Sequence, residues 1–149
     1  MKIMSFDPGE TTGFAVLDTD TGSWMTGVIG LWHTIDSLLD CHKPDVVVFE
    51  SFKLYPDKAH TQVWSDFPAV KVIGVIEYLC EKKKVPVHSQ SASQAKCLSF
   101  NTGDQSKLSN HEYDALRHAV LYARRKGADG QFRDRVKFRL SIGDKFTVS

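Results

Sequence analysis

Three acids and one histidine carry the chemical content of this sequence. Asp7 closes the apolar stretch MKIMSFD and is followed at once by Pro8-Gly9, and Glu50 closes DVVVFE. In HEYDALRHAVLYARR, His111 stands three residues before Asp114, so both point the same way from a helix. His118 lies four residues further on, at the margin of that face. If the strands ending in Asp7 and Glu50 are parallel neighbours, both carboxylates emerge at one sheet edge and repel each other. A divalent cation relieves that repulsion, and hard oxygen ligands suit magnesium or manganese. Two such ions about 4 Å apart activate a water and stabilise the leaving oxygen in phosphodiester cleavage.

Each residue also has a plainer reading. Asp7 can cap its own turn. Glu50 can pair with a lysine. Asp114, placed in the first turn of its helix, can be an acid favoured by the macrodipole, and His111 can be a polar cap residue. The coincidence of all four at strand ends and one helix start favours the joint reading.

The elements that must position these groups follow from periodicity. Met1 to Phe6 and Gly13 to Leu17 are apolar runs around the polar turn Pro8-Gly9-Glu10-Thr11-Thr12, which reads as a hairpin. GSWMTGVIGLW supplies a third strand and completes an antiparallel meander. HTIDSLLDCHKP spaces Ile35, Leu38 and Leu39 along a short helix ended by Lys43-Pro44. Val46 to Phe49 are continuously apolar, so that strand is buried on both faces. The polar and aromatic loop SFKLYPDKAHTQVW follows. Phe67, Val70, Ile73, Val75, Ile76, Leu79 and Cys80 then take helical spacing, with Ser65 or Asp66 as cap and Pro68 near the start. Gly74 sits mid-helix, at a cost of about 1 kcal/mol against alanine. VPVHS is a short strand, and QSASQAKCLSFNTGDQSKLSN a polar connection. The last helix buries Ala115, Leu116, Ala119, Val120 and Ala123, and Gly127 ends it. The order βββαβαβα predicts an α/β fold, a mixed sheet with helices on its faces. Ligands in such sheets gather at the carboxyl ends of the strands.

The chain has 149 residues, 42% hydrophobic and 25% charged. This suits one domain spanning 1–149, with a basic tail from about residue 127. A net charge of +1 neither demands nor excludes a polyanionic partner. Cys41, Cys80 and Cys97 are widely spaced, which argues for reduced thiols in a cytosolic compartment and against a disulfide framework or a zinc knuckle. No apolar run approaches the ~20 residues that span a bilayer, and the start lacks the long apolar stretch of a signal peptide. The expectation is a soluble cytoplasmic protein with no membrane partner.

Taken together, SFDPGETTGFAVLD, PDVVVFESF and HEYDALRHAVLYARR resemble the RuvC-like Holliday junction resolvases of the ribonuclease H-like superfamily. The resemblance reaches to about Arg125. It rests on a strand-ending D-P-G followed by T-G, a buried strand ending in Glu, and an H-x-x-D-A helix. It implies a structure-selective, Mg2+-dependent endodeoxyribonuclease that resolves four-way junctions as a homodimer by paired phosphodiester hydrolysis. Mn2+ is a second candidate ion, with two ions per site. It carries the metal ligands onto Asp7, Glu50 and Asp114, with His111 at the remaining position, where some members have an acid. Asp7 is then the central ligand, and the Pro8-Gly9 turn holds the backbone away from the scissile phosphate.

The resemblance also extends to DNA contacts. Lys96 and Lys107 match the family's lysine-bearing connection; simple solvent exposure is the alternative. Among Phe52, Tyr55 and Trp64, Phe52 is the first choice for the aromatic that stacks at the junction centre, then Tyr55; a core position under the loop is the alternative for Phe52. Arg124, Arg125, Lys126, Arg133, Arg135, Lys137 and Arg139 form a basic stretch that either contacts phosphates or is a solvated face. The chain is short for the bacterial housekeeping enzymes and looks more like compact bacteriophage versions, acting in the bacterial cytoplasm. That leaves cleavage preference open and broadens the substrates to flaps and Y-junctions. Three rivals remain: the D-x-G-T-T phosphate loop of actin-like ATPases, which needs a second lobe; a non-catalytic junction-binding protein; and a ribonuclease H-like enzyme acting on RNA-DNA hybrids.

Overall fold

The structure, a computed structural model, describes residues 1–30, 32–53, 67–99 and 108–126. Strands β1 (Lys2–Asp7), β2 (Thr12–Asp18) and β3 (Trp24–Ile29) form the meander, and helix α1 (Thr34–His42) leads into β4 (Val46–Glu50). Helix α2 (Pro68–Lys83), β5 (Val87–Gln90), the short helix α3 (Ala92–Lys96) and helix α4 (Asn110–Lys126) follow. The strand order is β3-β2-β1-β4-β5. The meander is antiparallel, whereas β1–β4 and β4–β5 are parallel. This is the mixed α/β sheet that the sequence predicts.

Alternation along β1, β2 and β4 divides the core. Met4, Phe6, Phe14, Val16, Val47 and Phe49 pack under α1 and α2. Ile3, Ala15, Leu17, Val46 and Val48 pack under α4, against its Ala115, Leu116, Ala119, Val120 and Ala123. Helices thus cover both faces. The alanines on α4 let it lie close to the sheet, and buried Ser5 on β1 donates to the Ala115 carbonyl at 2.6 Å.

Several details depart from expectation. Helix α2 has Phe67, in extended conformation, as its N-cap residue, with Pro68 at the first position; Ser65 and Asp66 lie outside the described residues. Its buried face is Val72, Ile76, Leu79 and Cys80, while Val70 is 48% exposed. The polar connection after β5 contains α3, whose start is a capping box of Ser91 and Gln94. Helix α1 ends at Lys43, in the left-handed region at φ 46°, and Pro44 cannot continue it. The basic tail from about 127, Gly127 included, lies outside the described residues. Among the described residues no helix is long and apolar enough to cross a membrane.

One contact fixes α4 in place. Gly13 on β2 is the register partner of Asp7. A Cβ on Gly13 would lie 2.1 Å from the carbonyl oxygen of His111 and 2.9 Å from the Glu112 amide nitrogen. The helix start therefore rests on bare strand backbone. Replacing Gly13 by alanine must push backbone against backbone. Gly13→Ala should cost roughly 1–3 kcal/mol or more and lower the melting midpoint by several degrees. Gly30→Ala, whose added Cβ meets nothing within 4 Å, should shift stability by no more than about 0.5 kcal/mol. Thermal melts of the two variants check this; equal effects would refute it.

Candidate active site

Asp7 and Glu50 lie one step beyond the last β1–β4 register pair, Phe6↔Phe49. In a parallel pair the same face recurs every second residue. Asp7 therefore follows Ile3 and Ser5, and Glu50 follows Val46 and Val48, toward α4. Two carboxylates thus leave the same sheet edge on the same side.

The start of α4 is built to meet them. Glu112 accepts from the Ser109 amide at 2.9 Å, and the Ser109 hydroxyl accepts from the Glu112 amide at 3.3 Å. This is a capping box. Thr26 on β3 donates to the other Glu112 oxygen at 3.1 Å, which ties the cap to the meander. His111 is the second residue of the helix and Asp114 falls in its second turn, one turn later than expected. The first-turn acid is Glu112.

His111 reaches back to Asp7, with Nδ1 at 2.9 Å from Oδ2. A carboxylate only accepts, so Nδ1 donates and Nε2 faces away from Asp7. His111 is half exposed. The turn after β1 is closed by Thr12 instead of Asp7: its hydroxyl accepts from the Gly9 amide and donates to the Gly9 carbonyl. Among the described residues Glu50 pairs with no lysine; its Oε2 lies 3.0 Å from Nε2 of His118. Asp114 Oδ1 accepts from Arg117 at 2.8 Å, and the Arg117 guanidinium lies over the Tyr113 ring at 4.4 Å.

The carboxylates feel one another. Burial pushes the Asp7 carboxyl above its ordinary value, the hydrogen bond from His111 opposes that, and the charges of Glu50 and Asp114 raise it further. Among the described residues, however, no three His, Cys, Asp or Glu side chains converge into a formed metal cage. Asp7, Glu50 and Asp114 each engage one oxygen with a protein partner, and His111 engages one nitrogen. Among the described residues the second atom of each makes no hydrogen bond. That donor set, three carboxylates and an imidazole around uncompensated negative charge, fits a hard divalent ion.

Beside Glu50 opens a cleft of about 160 Å3, lined by Pro8, Phe52, Lys53, Ser91 and Ser93 among others. Phe52 is 41% exposed, with its ring 5.3 Å from that of Phe67. It is therefore not a core side chain. Lys53 is a cation at the cleft that sequence reasoning passed over. Lys96 is exposed at the end of α3, the helix whose other end lines the cleft. Lys107, Tyr55 and Trp64 lie outside the described residues. Arg124 and Arg125 occupy the last turn of α4. Ten or more residues of helix separate them from Asp114, about 15 Å along the axis, so they do not join the acidic site.

Sequence reasoning also missed what stands behind the acids. His118 is wholly buried instead of marginal, and its Nδ1 lies 2.8 Å from Oε1 of buried Gln90. Its spacing of four from Asp114 and seven from His111 placed it on the same side of the helix, which was the available signal. The capping box was readable as S-x-x-E in SNHE. Nothing in the sequence marked Gln90.

No protein-family profile matches the chain, and no curated protein matches it in sequence. Solved structures do match. The chain superposes on Thermus thermophilus RuvC in complex with a Holliday junction substrate with a TM-score of 0.61 at 18% identity, covering 85% of this chain and 96% of that one. A second Thermus thermophilus RuvC structure gives 0.60 at 17% identity, covering 85% and 97%. A Fowlpox virus resolvase complexed with Holliday junction DNA gives 0.49 at 14% identity, covering 82% and 96%. The RuvC structures are matched over nearly their whole length. The chain has the fold of the RuvC-like resolvases, a mixed five-stranded sheet with helices on its faces.

Proposed function

We propose that this protein is a structure-selective DNA endonuclease that resolves four-way junctions by paired, divalent-ion-dependent hydrolysis. The observation that carries the reading is the acidic edge itself. On a RuvC-like sheet, Asp7, Glu50 and Asp114 lie close enough that the last two raise the first. Asp7, Glu50 and Asp114 would hold magnesium or manganese through their second oxygens, and His111 through Nε2. A bound divalent ion would supply an activated water and neutralise charge on the leaving 3′ oxygen, giving 5′-phosphate ends. Lys53 lines the cleft beside that edge and suits a phosphate, and exposed Lys96 at the far end of α3 suits one further out. Half-exposed Phe52 suits stacking on an unpaired base, worth about 1–3 kcal/mol. Linear duplex offers no such base and is the poorer substrate.

A four-way junction is two-fold symmetric, so two sites on a two-fold dimer match it. Helix α2 supports this partner. Val70, Gly74 and Tyr78 follow one another at intervals of four on its outer face. Tyr78 is 62% exposed, and nearby Trp32 is 51% exposed. Among the described residues nothing lies within 4 Å of a Cβ on Gly74, which leaves room for close approach by a second copy.

Asp7→Asn should reduce junction cutting by roughly a thousand-fold or more while leaving junction binding in calcium intact, since backbone contacts come from other residues. The same variant should be more stable than wild type when stripped of metal at neutral pH. The folded Asp7 carboxyl titrates above its unfolded value. Its destabilisation is therefore absent below the unfolded value of about 4 and grows as pH rises through the folded one. Near wild-type cutting by Asp7→Asn would overturn the assignment; melting curves at low and neutral pH check the stability claim.

Wild type should scatter light as a dimer at micromolar concentration, and Tyr78→Glu should shift it toward monomer without unfolding it. A strict monomer with and without junction DNA refutes the assembly. On a junction extruded in a supercoiled plasmid, the dimer should give linear product in one binding event. A heterodimer of wild type with Asp7→Asn should give nicked circles alone; linear product at the wild-type rate would mean that one site cuts both strands.

A further inference from the structure

Among the described residues, His118 is the one buried side chain able to carry positive charge. It projects from a helix face otherwise made of Ala115, Ala119 and Val120, where an apolar residue would fill the space without needing partners. A buried imidazole is costly unless both nitrogens are satisfied. Here both are, by two residues adjacent in the sheet: Glu50 and Gln90 are register partners on β4 and β5. The ring spans them, with Nε2 at 3.0 Å from Glu50 Oε2 and Nδ1 at 2.8 Å from Gln90 Oε1. Glu50 is an acceptor, so Nε2 donates. Gln90 holds the ring whether its carbonyl accepts from Nδ1–H or its amide, turned over, donates to Nδ1. The backbone carbonyl of Gln90 accepts from the Ser51 amide at 2.8 Å, so the residue after Glu50 is tied to the same strand. Helix α4 thus holds the Glu50 oxygen directly through His118, and β5 holds His118 from behind.

We propose that His118 and Gln90 are positioning residues for Glu50, holding its Oε2 so that Oε1 is presented to a divalent ion beside Asp7. The inference rests on the metal-site reading above. Partners behind a ligand typically account for about 10–100-fold in metal affinity, because they fix the ligand's orientation before the ion arrives. Here they also keep Glu50 from turning away from the negative charge of Asp7 and Asp114.

The test uses the full chain without DNA, titrated with Mn2+ and read by electron paramagnetic resonance of the free ion. His118→Leu fills the buried site without a donor. It should melt within a few degrees of wild type, bind a junction in calcium normally, and bind Mn2+ about 10–100-fold more weakly. Cutting by this variant should recover as Mn2+ is raised, a change in the ion requirement that a folding defect would not produce. His118→Gln, which keeps an N–H near the position of Nε2, should recover part of the affinity. Gln90→Leu, at a separate strand position, should weaken Mn2+ binding less, and the double variant should be no weaker than His118→Leu. Wild-type Mn2+ affinity in folded His118→Leu, or in Gln90→Leu should His118→Leu fail to fold, overturns the proposal. If wild type binds Mn2+ but cuts no branched DNA, the nuclease reading falls, and the positioning role is still decided by the affinities of the variants. If wild type binds no Mn2+, both fall.

Discussion

The seating of α4 on Gly13 is the contact on which the rest of the site depends. The helix start touches strand backbone where any side chain would intrude. Gly13 is also the neighbour of Asp7 across the hairpin. One glycine therefore sets the height of the helix above the sheet at the point where His111 must reach Asp7. A strand glycine ordinarily weakens its strand; here it lets two backbones approach. The Ser5 hydroxyl on the Ala115 carbonyl and the Thr26 hydroxyl on Glu112 then fix the helix against rolling or sliding. With those contacts in place, the direction of Asp114 follows from helix geometry alone.

The acids illustrate how a fold tolerates like charges at one edge. Each has a partner suited to its depth: half-exposed His111 for Asp7, enclosed His118 for Glu50, and Arg117 for Asp114. The first-turn amides of α4 face the same edge, and the positive end of its dipole favours negative charge there. Asp7 nonetheless stays above its ordinary value, chiefly through burial and further through the charges of Glu50 and Asp114. A site fully neutralised by its own side chains would have little affinity left for a cation, so the residual charge is consistent with cation binding.

Much of this was legible in the sequence. Unbroken Val46 to Phe49 could only be a strand covered on both faces, and the period of the last helix placed its alanine stripe correctly. Asp7 and Glu50 were legible as strand-end acids because a strand's period of two keeps Asp7 in phase with Ile3 and Glu50 in phase with Val46. What stayed hidden depends on contacts between distant segments. The T-G after D-P-G was visible as a pattern, but its reason was not, because the helix that rests on Gly13 begins almost a hundred residues later. His118 read as marginal because helical periodicity alone cannot say which flank of a stripe β5 will cover. Val70 read as core for the converse reason: its spacing matched Ile73 and Val75, yet the buried face of α2 turned out to centre on Val72 and Ile76. The Ser91–Gln94 box was missed because a five-residue helix has too little apolar period to stand out from a polar loop.

Helix α4 is chemically polarised along its length. Its first two turns hold Glu112, His111 and Asp114, and its last turn holds Arg124, Arg125 and Lys126. Seventeen residues span about 25 Å. Cations at the carboxyl end complement the helix dipole, which accounts for their presence without any partner. They lie too far from the acids to touch the same phosphate. Phosphates along one strand recur about every 3.4 Å of axis. A strand lying along the helix from Asp114 would therefore reach Arg124 only after roughly four nucleotides. On the proposed reading the two ends are separable: cations at the far end would add affinity through phosphates they neutralise, while attack would depend on the geometry at Asp7. The cleft beside Glu50, bordered by Lys53 and Phe52, opens at the acidic end. On the nuclease reading proposed above, discrimination between a branched and a linear substrate would fall to the residues around that cleft, and general affinity for DNA to the basic end of the helix.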